Sequence, residues 1–345
     1  MTETLMLREA SETPAICAAQ IRQNRELVRD AANYLRRRSP PFVATLARGS
    51  SGQAAMFGKV LLETRLQLPT LAHAPSIGSV YGTTSPLFRG VPVLAVSQSG
   101  RSPDLLAAAE GAKGHGAVIV AVVNDEDSPL AGLADIVIPV RAGVEASVAA
   151  TKSFVATLTA ISHLIAEWGG DEQLRAGLES IGDTLAASWS IDWTVVVPNL
   201  REARSLLVLG RGLTLPIAGE AALKLKETSG LHAEAFSSAE VAHGPMTLIR
   251  AGDPVLVFGP LDAARGGLAN LLGDFARRGA VVIGTGHPAD LPDAALRLAA
   301  HPVAEPAIGA IAAIQSFYRL ANALSLARGH DPDSPPHLAK VTKTL

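Results

Sequence analysis

Two stretches of this chain, separated by about 160 residues, are written to one plan, an offset that is domain-sized and too long for a solenoid period. "PFVATLARGSSGQAAMFGKVLLET" (Pro41–Thr64) and "RSLLVLGRGLTLPIAGEAALKLKE" (Arg204–Glu227) each read as an apolar strand, an Arg-Gly turn and an Ala/Leu/Lys helix ending near a glutamate. The echo continues downstream, where "PVLVFGP" repeats "PVLAVSQSG" and "GAVVIGTG" repeats "GAVIVAVVND". A strand, a turn, a helix and another buried strand form the alternation of parallel βαβ units. The expected fold class is therefore α/β, with two similar doubly wound parallel-sheet domains and flanking helices. The expected division is a helical segment over 1–40, a first domain over 41–190, a second over 200–330 and a tail over 331–345. The two domains are expected to join around Trp189–Asn199.

Within that plan, 11–38 reads as a long helix closed by Pro40-Pro41, and "ARGSSG" reads as a Gly/Ser turn before the helix "QAAMFGKVLLETRL". Helical sequence dominates from Ala149 to about Trp193, and a last helix spans about Glu305–Ala327. Hydrophobic residues make up 48% of the 345 and aromatics only 4%, which suits close-packed helices over parallel strands. With a formal charge of −2 and no basic run beyond Arg36–Arg38, nucleic acid is not an expected partner. No apolar run approaches membrane-spanning length, and the acidic "MTETLMLREASETP" does not read as a signal peptide, so a cytoplasmic protein is expected. A single cysteine, Cys17, excludes an intrachain disulfide and a Cys-rich metal site.

Two motifs carry chemistry. "SQSGRSPD" follows a strand of the first copy and groups Ser97, Gln98, Ser99 and Ser102 around Gly100. Ser102 suits an N-cap and Pro103 a first helical position. A helix N-terminus behind such a loop is a natural anion site, because free N–H groups and the helix dipole converge there. Asp104, in the first turn, is expected to be exposed and to point away. Ser50 and Ser51, at the end of a neighbouring strand, supply further hydroxyls. The loop is neither a Walker sequence nor a dinucleotide fingerprint, and by itself it also fits a merely capped turn. The equivalent "VFGPLD" of the second copy has no hydroxyl cluster, so one site per chain is expected. The second motif is "GEAALKLKE", where Glu220, Lys224 and Glu227 share one narrow helical arc. Taken alone, that arc reads as solvated i, i+4 decoration.

Four separated motifs then occur in one order. "SQSGRS" resembles the SQSGET loop of the sugar isomerase (SIS) family, and "GVEASVAATKSF" is similar to its GVE-x-x-VAST-K-x-F segment. "EAALKLKETSGLHAEAFSSAEVAHGP" resembles EGALKLKEISY-x-HAEA followed by E-x-x-HGP, and "HLAKVTKTL" resembles the NLAKSVTVE terminus. The resemblance is to the isomerase half of glucosamine-6-phosphate synthase and to stand-alone deaminases. It implies that Ser97, Gln98, Ser99 and Ser102 hold a sugar phosphate, with Ser51 and Ser50 assisting. It further implies that Glu227 moves a proton between C1 and C2, that His243 opens the ring in a neighbouring subunit's site, and that Lys340 forms or stabilises an imine. Glu145, Val148, Glu220 and Lys224 would line or support the pocket, which turns the helical arc into a pocket wall. The residue types suit the chemistry. A carboxylate whose pKa is raised by burial can take and return a proton, histidine titrates near neutrality, and a neutral amine adds to carbonyls. A tail closing over the substrate would exclude water. His232 reads as a structural or subunit-contact residue.

Neither cofactor nor metal is expected: Glu240 and His243 have i, i+3 spacing, but a di-metal bundle needs that element twice. The expected partners are a hexose 6-phosphate or aminosugar phosphate and a second copy in a homodimer with shared sites. Several residues depart from the family pattern. Residue 2 is Thr rather than a nucleophilic cysteine, so glutamine hydrolysis is not expected. Ala150 replaces the serine of VAST, and Arg101 replaces the loop glutamate, adding positive charge beside the phosphate. The expected activity is conversion of glucosamine 6-phosphate to fructose 6-phosphate and ammonia. The alternatives are a fructosamine-6-phosphate deglycase, another ketose/aldose phosphate isomerase, and a catalytically silent sugar-phosphate sensor.

Overall fold

The computed structural model describes residues 4–338, which divide into two compact units, each gathering pieces distant in sequence. The first holds Thr13–Glu145 and Lys152–Gly182; the second holds residues up to Glu12, Ala146–Thr151 and Asp183–Leu338. The first helix, α1 (Leu5–Arg38), begins six residues earlier than the sequence suggests and carries Pro14 inside it.

The first unit continues with β1 (Val43–Leu46), α2 (Gly49–Arg65), β2 (Thr70–Ala72), α3 (Pro75–Ser79), β3 (Pro92–Ser97), α4 (Pro103–Gly114), β4 (Val118–Val123), α5 (Pro129–Leu133) and β5 (Ile136–Pro139). It closes with α6 (Lys152–Gly169) and α7 (Glu172–Glu179). Its five strands are all parallel, in the order β2-β1-β3-β4-β5. Strands β3 and β4 are buried on both faces, which is why they read as continuous apolar runs rather than alternating ones. On one face Ala95, Ile119 and Ala121 pack with Leu105, Ala108 and Leu130 of α4 and α5. On the other, Leu94 and Val120 meet Leu62 of α2 and Ile161 and Leu164 of α6.

The second unit runs through α8 (Ile181–Trp189), α9 (Val197–Leu200), β6 (Ser205–Gly210), α10 (Leu215–Ser229), β7 (His232–Ser237), β8 (Pro254–Phe258), α11 (Leu268–Arg277), β9 (Val281–Thr285), β10 (Leu296–Arg297) and α12 (Pro306–Ala327). Its parallel sheet, β10-β9-β8-β6-β7, is the same order read from the other edge. The stretch expected to join the domains is itself core: Trp193 is buried, stacks near Phe258 with ring centroids 6.1 Å apart, and donates Nε1–H to the Ala299 carbonyl at 2.7 Å.

The repeated Arg-Gly has a conformational cause. Arg48 and Arg211 keep the extended backbone of the strands before them, whereas Gly49 and Gly212 take φ of +54° and +58°, the left-handed region that glycine enters without steric cost. The chain thereby turns from strand to helix in one residue. In the first copy α2 starts at Gly49 itself, so Ser50 and Ser51 lie in a helical first turn and not in the loop that the sequence suggested. Strands β2, β7 and β10 escape the sequence reading, the first and last because they are three and two residues long.

Candidate active site

In a sheet ordered 2-1-3-4-5, connections leave in opposite directions from the first and third strands, and ligands settle at the crevice between their carboxyl ends. In the first unit the α2 and α4 N-termini meet at that crevice. Neither N-cap residue, Arg48 or Ser102, caps its helix through its side chain, so the Ser102 hydroxyl is not consumed by the helix. Ser97 Oγ accepts from Gly100 N at 3.0 Å and Ser99 Oγ accepts from Arg101 N at 3.4 Å. Both hydroxyls act as acceptors inside the loop, and each keeps its own proton to donate. Gln98 and Ser51 flank them with no side-chain hydrogen bond among the described residues. The arrangement is a ring of donors over helix N-termini, suited to a phosphate.

The loop is braced from outside. From the β4–α5 connection, Asn124 N donates to the Gln98 carbonyl at 3.3 Å and Leu130 N to the Gly100 carbonyl at 3.2 Å. Arg101 does not add its charge to the loop. Its Nη2 lies 2.7 Å from Asp125 Oδ2, and this hydrogen bond holds the Asp125 carboxyl below its usual range. Asp104 also departs from expectation: its side chain is 0% exposed and is paired with Nε of Arg48. A carboxylate there opposes an anion, and burying it requires a partner. Asn124, Asp125 and Arg48 therefore shape the loop, and of these only Arg48 lies in a motif, the repeated Arg-Gly turn.

In the second unit, α10 lies against β6, β7 and α12, which removes its Glu/Lys stripe from water. Glu220, Lys224 and Glu227 side chains are 0%, 1% and 22% exposed, and Lys224 Nζ sits 3.7 Å from Glu220 Oε1 while donating to Glu227 Oε2. The stripe is thus a buried charge cluster whose accessible end is Glu227, and the solvated-face reading is set aside. His243 is exposed on a short 3-10 turn, Glu240–His243, before Gly244 at φ +148°. His232 is exposed at the start of the edge strand β7. Lys340 lies outside the described residues.

The segment containing Val148 is anchored within the second unit by residues the sequence reading passed over. Glu9 accepts from Ala146 N at 2.5 Å and Ser147 N at 3.2 Å, and Val148 N donates to the Asp333 carbonyl at 3.2 Å. The Asp333 carboxylate in turn accepts from Leu5 N and Met6 N, both at 2.7 Å, closing the first turn of α1. Glu145, within the first unit, is buried and accepts from Ser153 N and Oγ at 3.1 and 2.6 Å, so it holds the start of α6. A cavity of about 550 Å³ opens at the ends of β8 and β9, walled by Phe258, Leu261, Leu298 and Val303. The Thr214 and Ser316 hydroxyls reaching it are spent on backbone carbonyls of Arg211 and Ser188. No hydroxyl cluster follows β8 in the way that one follows β3. Among the described residues no group of three or more His, Cys, Asp or Glu is placed to hold a metal ion, and no helix is long and apolar enough to cross a membrane.

A doubly wound parallel sheet present twice, with a hydroxyl-lined helix N-terminus at the switch point of one copy, defines a class of two-copy α/β proteins. The chain belongs to the SIS domain family, which matches it over residues 38–167 and 199–304. It is 30% identical over 347 residues to the glutamine–fructose-6-phosphate aminotransferase (isomerizing) of Thermococcus kodakarensis, covering 97% of this chain and 57% of that protein. The chain thus spans little more than half the length of that relative. A candidate phosphosugar isomerase from Silicibacter pomeroyi superposes with a TM-score of 0.91 at 41% identity, over 96% of this chain and all of that one. The C-terminal domain of the glucosamine–fructose-6-phosphate aminotransferase from Francisella tularensis gives 0.87 at 26% identity, covering 97% and 99%.

Proposed function

We propose that this chain is an aminosugar-phosphate deaminase/isomerase that converts glucosamine 6-phosphate to fructose 6-phosphate and ammonia. The observation that carries the reading is the buried Glu220–Lys224–Glu227 cluster, with Glu227 as its accessible end. A buried cluster of two carboxylates and an amine is costly unless it is used or fully paired.

In this reading Ser97, Gln98, Ser99 and Ser102, with Ser50 and Ser51, hold the phosphate. Glu227 removes the proton from C2 of the open-chain aldose and returns it to C1, moving the double bond from C1=O to C2=N; water then releases ammonia and leaves the C2 ketone. Lys224 fixes the Glu227 carboxylate through its hydrogen bond. Glu145 and Val148 support the wall, His243 opens the ring from a second copy of a homodimer, and Lys340 assists at the carbonyl as the family resemblance implies. Ammonia does not come from glutamine through a thiol of these residues, because the sole cysteine, Cys17, is buried and its pKa is pushed up to about 12 by that burial.

The test is ammonia release from glucosamine 6-phosphate by purified protein, followed by a coupled dehydrogenase assay. Release that disappears in Glu227→Gln, with phosphosugar affinity kept within a few-fold, is the expected outcome. Turnover of a phosphorylated glycated amino acid in its place would make the protein a deglycase. Saturable phosphosugar binding with no turnover of either would make it a sensor.

A further inference from the structure

We infer that Arg48 is a phosphate-binding residue of the loop site, held by Asp104 and presenting the outer edge of its guanidinium to the anion. The inference rests on the phosphosugar reading above and adds a charged contact to a site otherwise made of neutral donors.

Its position follows from the sheet. Leu46 of β1 pairs in register with Ala95 of β3, and the extended backbone at Arg48 (φ −142°, ψ 162°) carries the strand direction two residues further. Arg48 therefore stands beside Ser97, the first residue of the loop. From there its side chain reaches the first turn of α4, on the loop's far side, and binds Asp104.

Its bonding leaves capacity. Nε is given to Asp104, and Nη1 and Nη2 have no other partner among the described residues, with the Arg48 side chain 47% exposed over a carboxylate that is 0% exposed. A guanidinium carries five N–H donors in a planar fork, so one edge can be fixed by a carboxylate while the other grips a second anion. Asp104 removes the freedom that a long side chain would otherwise lose on binding.

The charges point the same way. Asp104 places a negative group under the loop, and Arg101 is occupied by Asp125. A dianionic phosphate then needs the cation that neutralises Asp104 to face it as well. In the second copy the equivalent Arg211 donates Nη1 to the Gly266 carbonyl at 3.0 Å, next to a loop with no hydroxyl cluster. The bridging arginine belongs to the fold in both copies, and the hydroxyl loop gives it an anion to meet in one.

The experiment is calorimetric titration of inorganic phosphate and of glucosamine 6-phosphate into the full chain. Because removing Arg48 alone would strand a buried carboxylate, the informative variant is Arg48→Gln with Asp104→Asn, which keeps a neutral side-chain pair. That double variant is expected to bind both ligands about tenfold more weakly or worse, the loss of a charge-assisted contact. Asp104→Asn alone, which keeps the Arg48 charge while removing both its anchor and the opposing carboxylate, is expected to bind both ligands more tightly than the double variant. Affinity within twofold of wild type in the double variant, or a loss in Asp104→Asn as large as that in the double variant, overturns the assignment. Wild-type protein that binds neither ligand overturns the phosphosugar reading itself, and the Arg48 assignment with it.

Discussion

At Gly100 two constraints coincide. Its φ is +62°, and a Cβ added there would lie 2.2 Å from Ser128 Oγ and 2.6 Å from Ser128 Cβ. Ser128 cannot step aside, because it is buried and its Oγ accepts from Ala131 N to cap α5. Gly100→Ala is therefore expected to destabilise the protein by roughly 1–3 kcal/mol and to displace the donors of Ser97 and Ser99. Thermal melting together with phosphosugar titration would check this, with Gly114→Ala as a control where a Cβ meets nothing within 4 Å. His163 offers a second residue-scale prediction. It is buried on α6, and desolvation, helped by the charges of Arg25 and Arg175, lowers its pKa to about 4. The unfolded chain takes up that proton near pH 6.5. Between these values the unfolded state holds more protons, so stability falls as pH drops from about 6.5 to 4, by at most about 1.4 kcal/mol per pH unit. His163→Gln should flatten that part of the acid limb in urea melts at successive pH values; superimposable slopes would contradict it.

At the scale of the element, α10 shows why a sequence stripe needs a tertiary address. The i, i+4 spacing of Glu220 and Lys224 is legible in the letters, but the same spacing decorates many solvated helices. Packing against β6, β7 and α12 decides the matter by excluding water from Lys224 and Glu220. Lys224→Met should cost about 3–5 kcal/mol in denaturant unfolding, since it leaves Glu220 charged and buried. Adding Glu220→Leu should recover most of that loss. The phosphate loop shows the converse. Its hydroxyls and glycine are read directly, whereas the braces are not: Asn124, Asp125 and Ser128 lie more than twenty residues from the serines, and only the β3–β4 pairing brings them alongside. The expected exposure of Asp104 and the expected charge of Arg101 beside a phosphate miss for the same reason, since their partners, Arg48 and Asp125, sit on other connections.

For the whole molecule, the duplication predicts a stoichiometry. Both sheets have the same strand order, but the hydroxyl loop accompanies β3 and not β8, so titration should give one phosphosugar per chain. Two equivalents would mean that the apolar cavity at β8 and β9 also accepts a phosphate. The proposed use of His243 across a homodimer predicts complementation. His243→Ala and Glu227→Gln chains, each inactive, should regain about a quarter of wild-type activity when dissociated and reassociated in equal amounts, because half the dimers then carry one intact site. No recovery would place His243 in its own chain's site.

What the letters alone determined is periodic and local. Apolar runs bounded by turn residues determined the strands, the Arg-Gly repeat determined the duplication, and a Gly/Ser cluster before Pro103 determined the hydroxyl-bearing loop and the helix start behind it, because each depends on neighbours within a few residues. The edge strand β7, with His232 and Glu234 exposed and Ala233 buried, lacks such a run. What only the tertiary structure decided is the environment of the charges: which are buried, which are paired, and which keep donors to spare. Those properties depend on desolvation and on partners distant in sequence, and neither is encoded in the spacing of the residues themselves.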